Sequence, residues 1–577
     1  MNTSRLLVIT FKPRIARQLR KYSSFILSGL FGGAIGIIFL GGFESINPDN
    51  IDWIHEDNAT AYVAQVAYVS DQWRIPIASN PNYGSELATT LTNTGPAILL
   101  GVFQKVFRID GHLQLFGFWI LLNFILQGLF AISVANNLTL SRSGKLMMVL
   151  ASFTPFFLFR AEIHFWLISH FVILWSINLS IHKIKDMNYR TLWRMSIICV
   201  ISYLINPYLC LMTFIINIFI SILIYLNERK LRRTILQNLV PLFLVSISYI
   251  LFDGFNSKIP LTESLRLLLG GAYGQFSYNL ISFLNPTSGF IDSNYNDSNL
   301  VSDWSVTNLS FGNTKGSYEG YLYLGLGSLL LLLVVIMSSL KRRSDIKRAS
   351  QITWIRAAIF ISIPISLFSI THRLSIGRFE YSIVGEGLDY LFSWGFSLFR
   401  SSGRFMWILG YVIIICSIYF VDKFIKSRIL IFSLVIVLQV TDLGFPLFEK
   451  YQKSKKEHAI KTDVFDYSDF SDIELSKMGI SKVLLYPAGN GTRGFERIAL
   501  WAFDQSIVSN AFESAKINHL RISNLNRALY DEICSGNPKV NVAYVIPIEY
   551  LDNFKSCNID LTQSEMILDF IVILTRT

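Results

Sequence analysis

Apolar runs recur through the first 446 residues: 25–41, 113–135, 145–159, 165–182, 195–205, 209–226, 236–255, 321–340, 352–371, 405–422 and 429–446. A helix needs roughly 20 apolar residues to cross a bilayer. In hydrocarbon the backbone must also satisfy its own hydrogen bonds. The ladder of runs therefore predicts a polytopic α-helical membrane protein with about 11 transmembrane helices. Composition agrees, since 52% of the 577 residues are hydrophobic and only 16% are charged, against about 25% charged in soluble domains. This excludes a disordered chain, a disulfide-framed secreted scaffold and an ordinary cytosolic enzyme. The net charge of +11 would suit a polyanion partner if it were pooled, and it is not. Of 51 Lys and Arg, 24 lie in six short segments between the runs, and 15 lie in the last 131 residues beside 17 Asp and Glu. The basic excess reports topology, and no nucleic-acid partner is expected.

Six Lys or Arg in the tail MNTSRLLVITFKPRIARQLRK place the N-terminus in the cytoplasm. No small-residue cleavage site follows the first run, so it reads as a signal-anchor. Alternating the spans from there puts SRSGK, HKIKDMNYRTLWR, NERKLRR and KRRSDIKR inside. The outside segments are more than twice as long in total and hold only 11 Lys or Arg, as the positive-inside rule requires. The short run 95–107 ends in Lys105 and Arg108 and is expected to lie on the outer surface as an interfacial helix. Residues 1–446 thus form a membrane domain with external loops 42–112, 256–320 and 372–404. In a bacterial inner membrane the tail 447–577 is then periplasmic. Strand-like runs at 482–488, 540–548 and 569–575, with a helix-like stretch HLRISNLNRALYDEI between, predict a small α/β domain there. Cys534 and Cys557 in that tail are either a disulfide, as an oxidising compartment allows, or two free thiols.

Pumps and secondary transporters carry ionisable groups near the midplane. Here the charged residues of the runs all lie near their ends, Lys145, Arg356 and Asp422 at one end and Asp253 and Asp442 at the other. The polar residues cluster instead at the outer face. His55-Glu56-Asp57 precedes a run with helical spacing, so Asp57 reads either as that helix's N-cap or as a general base on a juxtamembrane helix, with Glu56 beside it to raise its pKa or share a cation. In RAEIHFWLISH, Arg160 and His164 are expected at the surface and His170 deeper. These three suit phosphate binding, or else headgroup anchoring and a satisfied core histidine. Glu319 lies where the chain re-enters the membrane, a costly place unless it faces a polar site. Arg400 and Arg404 straddle a Ser-Ser-Gly break at headgroup depth, suited to bidentate phosphate contacts. Asn206-Pro207-Tyr208 breaks a hairpin at the same face. No Walker loop, zinc spacing, nucleophile elbow or dinucleotide fingerprint occurs.

Taken in order, these residues resemble a bacterial membrane family of unknown function that is expected to share the fold of the GT-C glycosyltransferases. The likeness rests on Glu56-Asp57-Asn58 at the first-loop turn, Asn80-Pro81-Asn82-Tyr83-Gly84, His164 with His170, and Asn279-Leu280 with Asn285-Pro286. It continues through Glu319 to Gly327, Arg400 to Phe405, and Gln439 to Asp442. Two positions depart: Asn93 stands where the family tends to have Asp, and Asn206 where it tends to have His. The first removes a carboxylate that a metal site would use. The resemblance implies a polyprenyl-phosphate sugar donor and an acidic residue in the first external loop, Asp57 here. The expectation is an inverting transferase moving a sugar from that lipid to an envelope glycan such as O-antigen of lipopolysaccharide. Asp57 and Glu56 would be catalytic. Arg160, His164, His170, Glu319, Arg400 and Arg404 would hold the donor, and Tyr83, Asn93, Asn206 and Tyr208 would position the acceptor or loops. No cofactor is required, and a divalent cation is compatible. The alternative is a lipid-linked glycan flippase or export component that makes no glycosidic bond.

Overall fold

In chain order the helices are α1 (Pro13–Phe39), α2 (Asp57–Ser70), α3 (Ile98–Phe107), α4 (Phe116–Asn137), α5 (Arg142–Ser152), α6 (Pro155–Ile163), α7 (Phe171–Lys185), α8 (Tyr189–Ile205), α9 (Pro207–Glu228) and α10 (Leu231–Phe252), followed by α11 (Leu326–Lys341), α12 (Thr353–Ile370), α13 (Glu386–Gly395), α14 (Met406–Phe424), α15 (Arg428–Glu457), α16 (Phe495–Asp504) and α17 (His519–Cys534). This computed structural model describes residues 13–575 except 56, 88–90, 92–97, 186–187, 230, 255–272, 289–303, 308, 310, 315, 342–351, 396–399, 459–462, 490, 514–518, 536–537, 556 and 558–563.

Each apolar run falls on a helix, but not every helix has the length of a full span. Among the described residues, eight helical segments are long and apolar enough to cross a membrane. The runs at α7, α8 and α11 form helices of only 15, 17 and 16 residues. One of the eight, Arg142–Ile163, joins α5 to α6 across a break where Thr154 caps α6 (Phe157 N donates to its Oγ1 at 3.2 Å) and Pro155 takes the first helical position. Leu239 and Phe243 on α10, Ile363 and Leu367 on α12, and Leu434 and Val437 on α15 are all exposed. Stripes of this kind would be an aggregation liability in water and are at home against lipid. The chain is a multi-pass membrane protein.

One basic residue is not where the charge pattern puts it. Lys183, expected in a loop, is the penultimate turn of α7 and only 2% exposed. Its Nζ donates to Asn217 Oδ1 at 2.8 Å and Ser221 Oγ at 2.6 Å on α9. The short helix α3 leaves Phe103, Val106 and Phe107 exposed and buries Leu100 and Gln104, the two-faced pattern expected of an interfacial helix.

Helix α2 differs from the expected juxtamembrane helix. Residues Asn58 to Tyr68 are buried on every side, which is what a run of small and apolar residues all round a helix requires. Its cover is the C-terminal segment. There β3 (Lys482–Leu485) lies between β4 (Val508–Ser509) and β5 (Val542–Pro547) and is parallel to both, while β7 (Phe570–Thr575) pairs antiparallel with β5 and with β6 (Ser564–Ile567). The strand-like runs become β3, β5 and β7, whereas β4 and β6 carry no strand signal in their residues. Alternate side chains of β5 serve opposite layers: Ala543 and Val545 join the main core that also holds α16, and Val542, Tyr544 and Ile546 cluster with Leu529 and Ile533 of α17. Cys534 and Cys557 form a disulfide with Cα atoms 4.8 Å apart. α16 seats on α2, Tyr62 meets Phe465 edge to face at 5.1 Å, and His112 pairs with Asp504 at 2.8 Å.

Candidate active site

Two backbone turns with no side chains between them build the site. Gly320 ends the turn Ser317–Gly320, and Gly403 lies in the turn Ser402–Phe405 that leads into α14. A Cβ on Gly403 would stand 2.8 Å from Gly320 Cα and 3.0 Å from Phe276 O, while one on Gly320 would meet Gly403 Cα at 3.2 Å. Gly403 N donates to Phe276 O at 3.0 Å. This close approach carries Arg404 onto Glu319, two motifs far apart in sequence. Gly403→Ala is therefore expected to destabilise the protein by about 1–3 kcal/mol, the usual cost of overpacking. A melting curve of the detergent-purified protein checks this, and an unchanged midpoint would mean that the turns can part freely.

Arg404 Nε donates to Glu319 Oε2 at 2.8 Å, and its Nη2 pairs with Oε1. Arg160 Nη1 approaches Glu319 Oε2 at 3.0 Å from α6, and Nη2 donates to Tyr318 O at 2.6 Å. Burial alone would raise the Glu319 pKa, but the flanking Arg404 and Arg160 hold it well below the ordinary carboxylate range. Arg160 is not at the surface, as expected from its place between two runs, but 0% exposed, with its guanidinium over the rings of Phe159 and Trp407. It holds Glu319 in place and does not face outward. His164 is buried as well, against expectation, and burial pulls its pKa down to about 3, so the ring is neutral.

Above this trio sits Asp57, at the first position of α2 and not the residue before it. Its side chain is 62% exposed, and Oδ2 lies 3.4 Å from His164 Nδ1. Burial of its inner side and the charge of Glu319 raise its pKa, against Arg404 and Arg400. Asn58, next along, pins the helix end: its Nδ2 donates to Ile163 O at 3.2 Å, and its Oδ1 accepts from Phe165 N at 3.3 Å. Arg400 is exposed, lies over the Phe276 ring, and forms no ion pair among the described residues. Tyr208 faces Arg404 at 4.7 Å, and its hydroxyl accepts from Ser401 N at 3.3 Å. Arg160 and Arg404 thus bracket Glu319, with Asp57 and Arg400 exposed above them. Among the described residues no group of three or more His, Cys, Asp or Glu gathers as a metal site.

Other residues of the motifs, His170 and Asn206 among the expected site residues, make contacts within the fold. His170 lies a layer deeper: Nδ1 is 3.1 Å from Tyr411 Oη, and the ring packs on Trp407 at 4.5 Å. Asn206 caps α9, accepting from Tyr208 N at 2.9 Å. Asn279 spans to the hairpin of β1 (Arg373–Ile376) and β2 (Phe379–Ser382), donating to Gly377 O at 2.8 Å and accepting from Gly377 N at 3.0 Å. Asp442 accepts from Leu326 N at 2.7 Å and Tyr323 Oη at 3.0 Å, and so caps α11. Glu56 and Asn93 lie outside the described residues.

Tyr83 is buried at the seam with the C-terminal segment. Its hydroxyl donates to Glu513 O at 3.1 Å and accepts from Glu513 N at 3.0 Å. Glu513 then turns its carboxylate to Thr60, whose Oγ1 donates to Oε2 at 3.4 Å. Neither Glu513 nor Thr60 stood out in the sequence, because each sits in an unremarkable polar or small-residue stretch. The paired contacts exist only once the chain is folded.

An archaeal oligosaccharyltransferase, AglB from Archaeoglobus fulgidus, solved in complex with an inhibitory peptide and a dolichol-phosphate, is similar at 12% identity and a TM-score of 0.41, over 92% of this chain and 70% of that one. No curated protein matches the chain. The family model described as a domain of unknown function, DUF6311, matches residues 30–444. The chain belongs to that family, and the arginines, the glutamate and Asp57 of the site all lie inside the matched region.

Proposed function

We propose that the protein is an inverting glycosyltransferase of GT-C type, working at the outer face of a bacterial inner membrane with its N-terminus in the cytoplasm and its C-terminal segment, residues 447–577, in the periplasm. One observation carries this reading: an exposed carboxylate, Asp57, stands at a mouth that also presents an exposed guanidinium, Arg400, with no ion pair among the described residues, and a fixed one, Arg404. The donor is a sugar on polyprenyl phosphate, and the acceptor is a hydroxyl of an envelope glycan such as O-antigen. Arg400 and Arg404 bind the donor phosphate, and Arg160 acts through Glu319 to hold Arg404 in place. Asp57 takes the acceptor proton as the oxygen attacks the anomeric carbon from the face opposite the phosphate. The bond from that carbon to the phosphate oxygen breaks, and its electron pair leaves with the polyprenyl phosphate. The arginines stabilise the charge that develops there.

The reading predicts that mass spectrometry of surface polysaccharide, with and without the protein, differs by one sugar substituent. Identical spectra would remove it. Lipid translocation into liposomes by the purified protein, with no new glycosidic bond, would favour a flippase instead.

A further inference from the structure

The C-terminal segment does more than cover α2. It delivers a carboxylate to the same helix face that carries Asp57. Asp57 and Thr60 are three residues apart on α2, so their side chains are neighbours one turn apart. Thr60 holds Glu513 Oε2 at 3.4 Å. Glu513 is placed by its own backbone: the Tyr83 hydroxyl clamps both its N–H and its C=O. Tyr83 is in turn tied to β4 through a parallel bridge to Ser509. Asn510 fixes the end of β4 to β3, accepting from Leu485 N at 2.6 Å and donating to Leu485 O at 3.0 Å. Glu513 thus leaves the carboxyl end of a parallel strand, the edge at which open α/β sheets bind ligands.

Two carboxylates a turn apart repel when both are ionised, and among the described residues no cationic side chain pairs with Glu513. The arginines lie on the other side of Asp57, with Glu319. What satisfies both is a molecule with several hydroxyl groups. Each carboxylate accepts one, and the charge makes each bond stronger than one between neutral groups.

We propose that Glu513 is the acceptor-positioning residue of the site, taking one hydroxyl of the acceptor sugar while a neighbouring hydroxyl of the same ring is presented to Asp57. This rests on the glycosyltransferase reading for the reaction, but not for the binding. The groups facing Asp57 are His164 from the end of α6, Tyr318 and Glu319 from the first turn, Arg400 and Arg404 from the second, and Glu513 from the C-terminal segment. Of these, Glu513 and Glu319 are the acids, and among the described residues Glu319 is paired with arginine while Glu513 is not.

The test is a pair of measurements on the full-length protein in detergent. The acceptor probe is polysaccharide prepared from cells lacking the protein, and the donor is undecaprenyl-phosphate glucose. Glu513→Gln is expected to weaken polysaccharide binding by about tenfold or more, with donor binding and melting temperature unchanged. Thr60→Val, which keeps the shape and removes the hydroxyl that holds Glu513, is expected to show a smaller loss of the same kind. Where transfer is measured, the acid limb of kcat in Glu513→Gln moves to lower pH, because a negative neighbour of Asp57 has gone. A purely structural Glu513 would not move that limb. Equal polysaccharide affinity in wild type and Glu513→Gln overturns the proposal, as does a wild type that binds none. So does a chelator that abolishes wild-type binding, since a shared cation would then occupy the gap. Binding lost in Glu513→Gln, together with a wild type that transfers nothing, upholds Glu513 and sinks the transferase reading alone.

Discussion

Asp57→Asn is expected to abolish sugar transfer, by about 10²–10⁴-fold in kcat, the range for loss of a positioned general base. Asparagine keeps the size of the side chain and its exposure, so membrane insertion and melting temperature should not change. The role is set by surroundings. A raised pKa makes a carboxylate a better base, and Asp57 has that from the burial of its inner side and from Glu319. The nearby arginines, Arg404 and Arg400, limit the rise. Activity should therefore be lost as pH falls through the raised Asp57 value. Because that pKa is raised in the folded protein, ionising Asp57 costs folding stability, so its contribution to stability rises as pH falls along the limb on which activity is lost. A single-turnover assay of the variant checks the claim, and wild-type rates in Asp57→Asn would end the assignment.

The second large effect is on folding. Glu319→Gln leaves Arg160, fully buried, and Arg404, nearly so, beside an uncharged amide. Breaking a buried ion group by removing one partner costs about 3–5 kcal/mol. Poor yield and a large drop in melting temperature are expected. Replacing the whole trio with apolar side chains of similar volume, Arg160→Met, Glu319→Leu and Arg404→Met, is expected to recover much of that stability. It should not recover transfer, because Arg404 is gone. If Glu319→Gln melts like the wild type, the trio is solvated and its burial is not what the structure describes.

Much of the architecture is legible because apolar runs must become helices in lipid. The eleven runs all land on helices, and 95–107 is amphipathic as expected. Length was harder to read. Helices α7, α8 and α11 are short, and only packing decides where a helix stops. Glu319, Arg404 and Asp57 were found as polar residues set among apolar ones. Their pairing was hidden, because Arg160 in a connecting segment looks the same whether it faces headgroups or a buried glutamate. Lys183 failed for a related reason: a lysine at the end of an apolar run reads as a loop charge, and its partners Asn217 and Ser221 are on another helix. Glu513 had no local signal at all.

The enclosed position of α2 has a consequence for biosynthesis. Thr60 and Glu513 are 453 residues apart, and at 5–20 residues per second a ribosome needs roughly 20–90 seconds to cover that gap. During that time the first-loop helix has emerged but lacks its roof. The site around Asp57 cannot be completed until the last strands arrive, so an early stop codon or a nick in the final quarter is expected to disable it although its principal residues were all made long before.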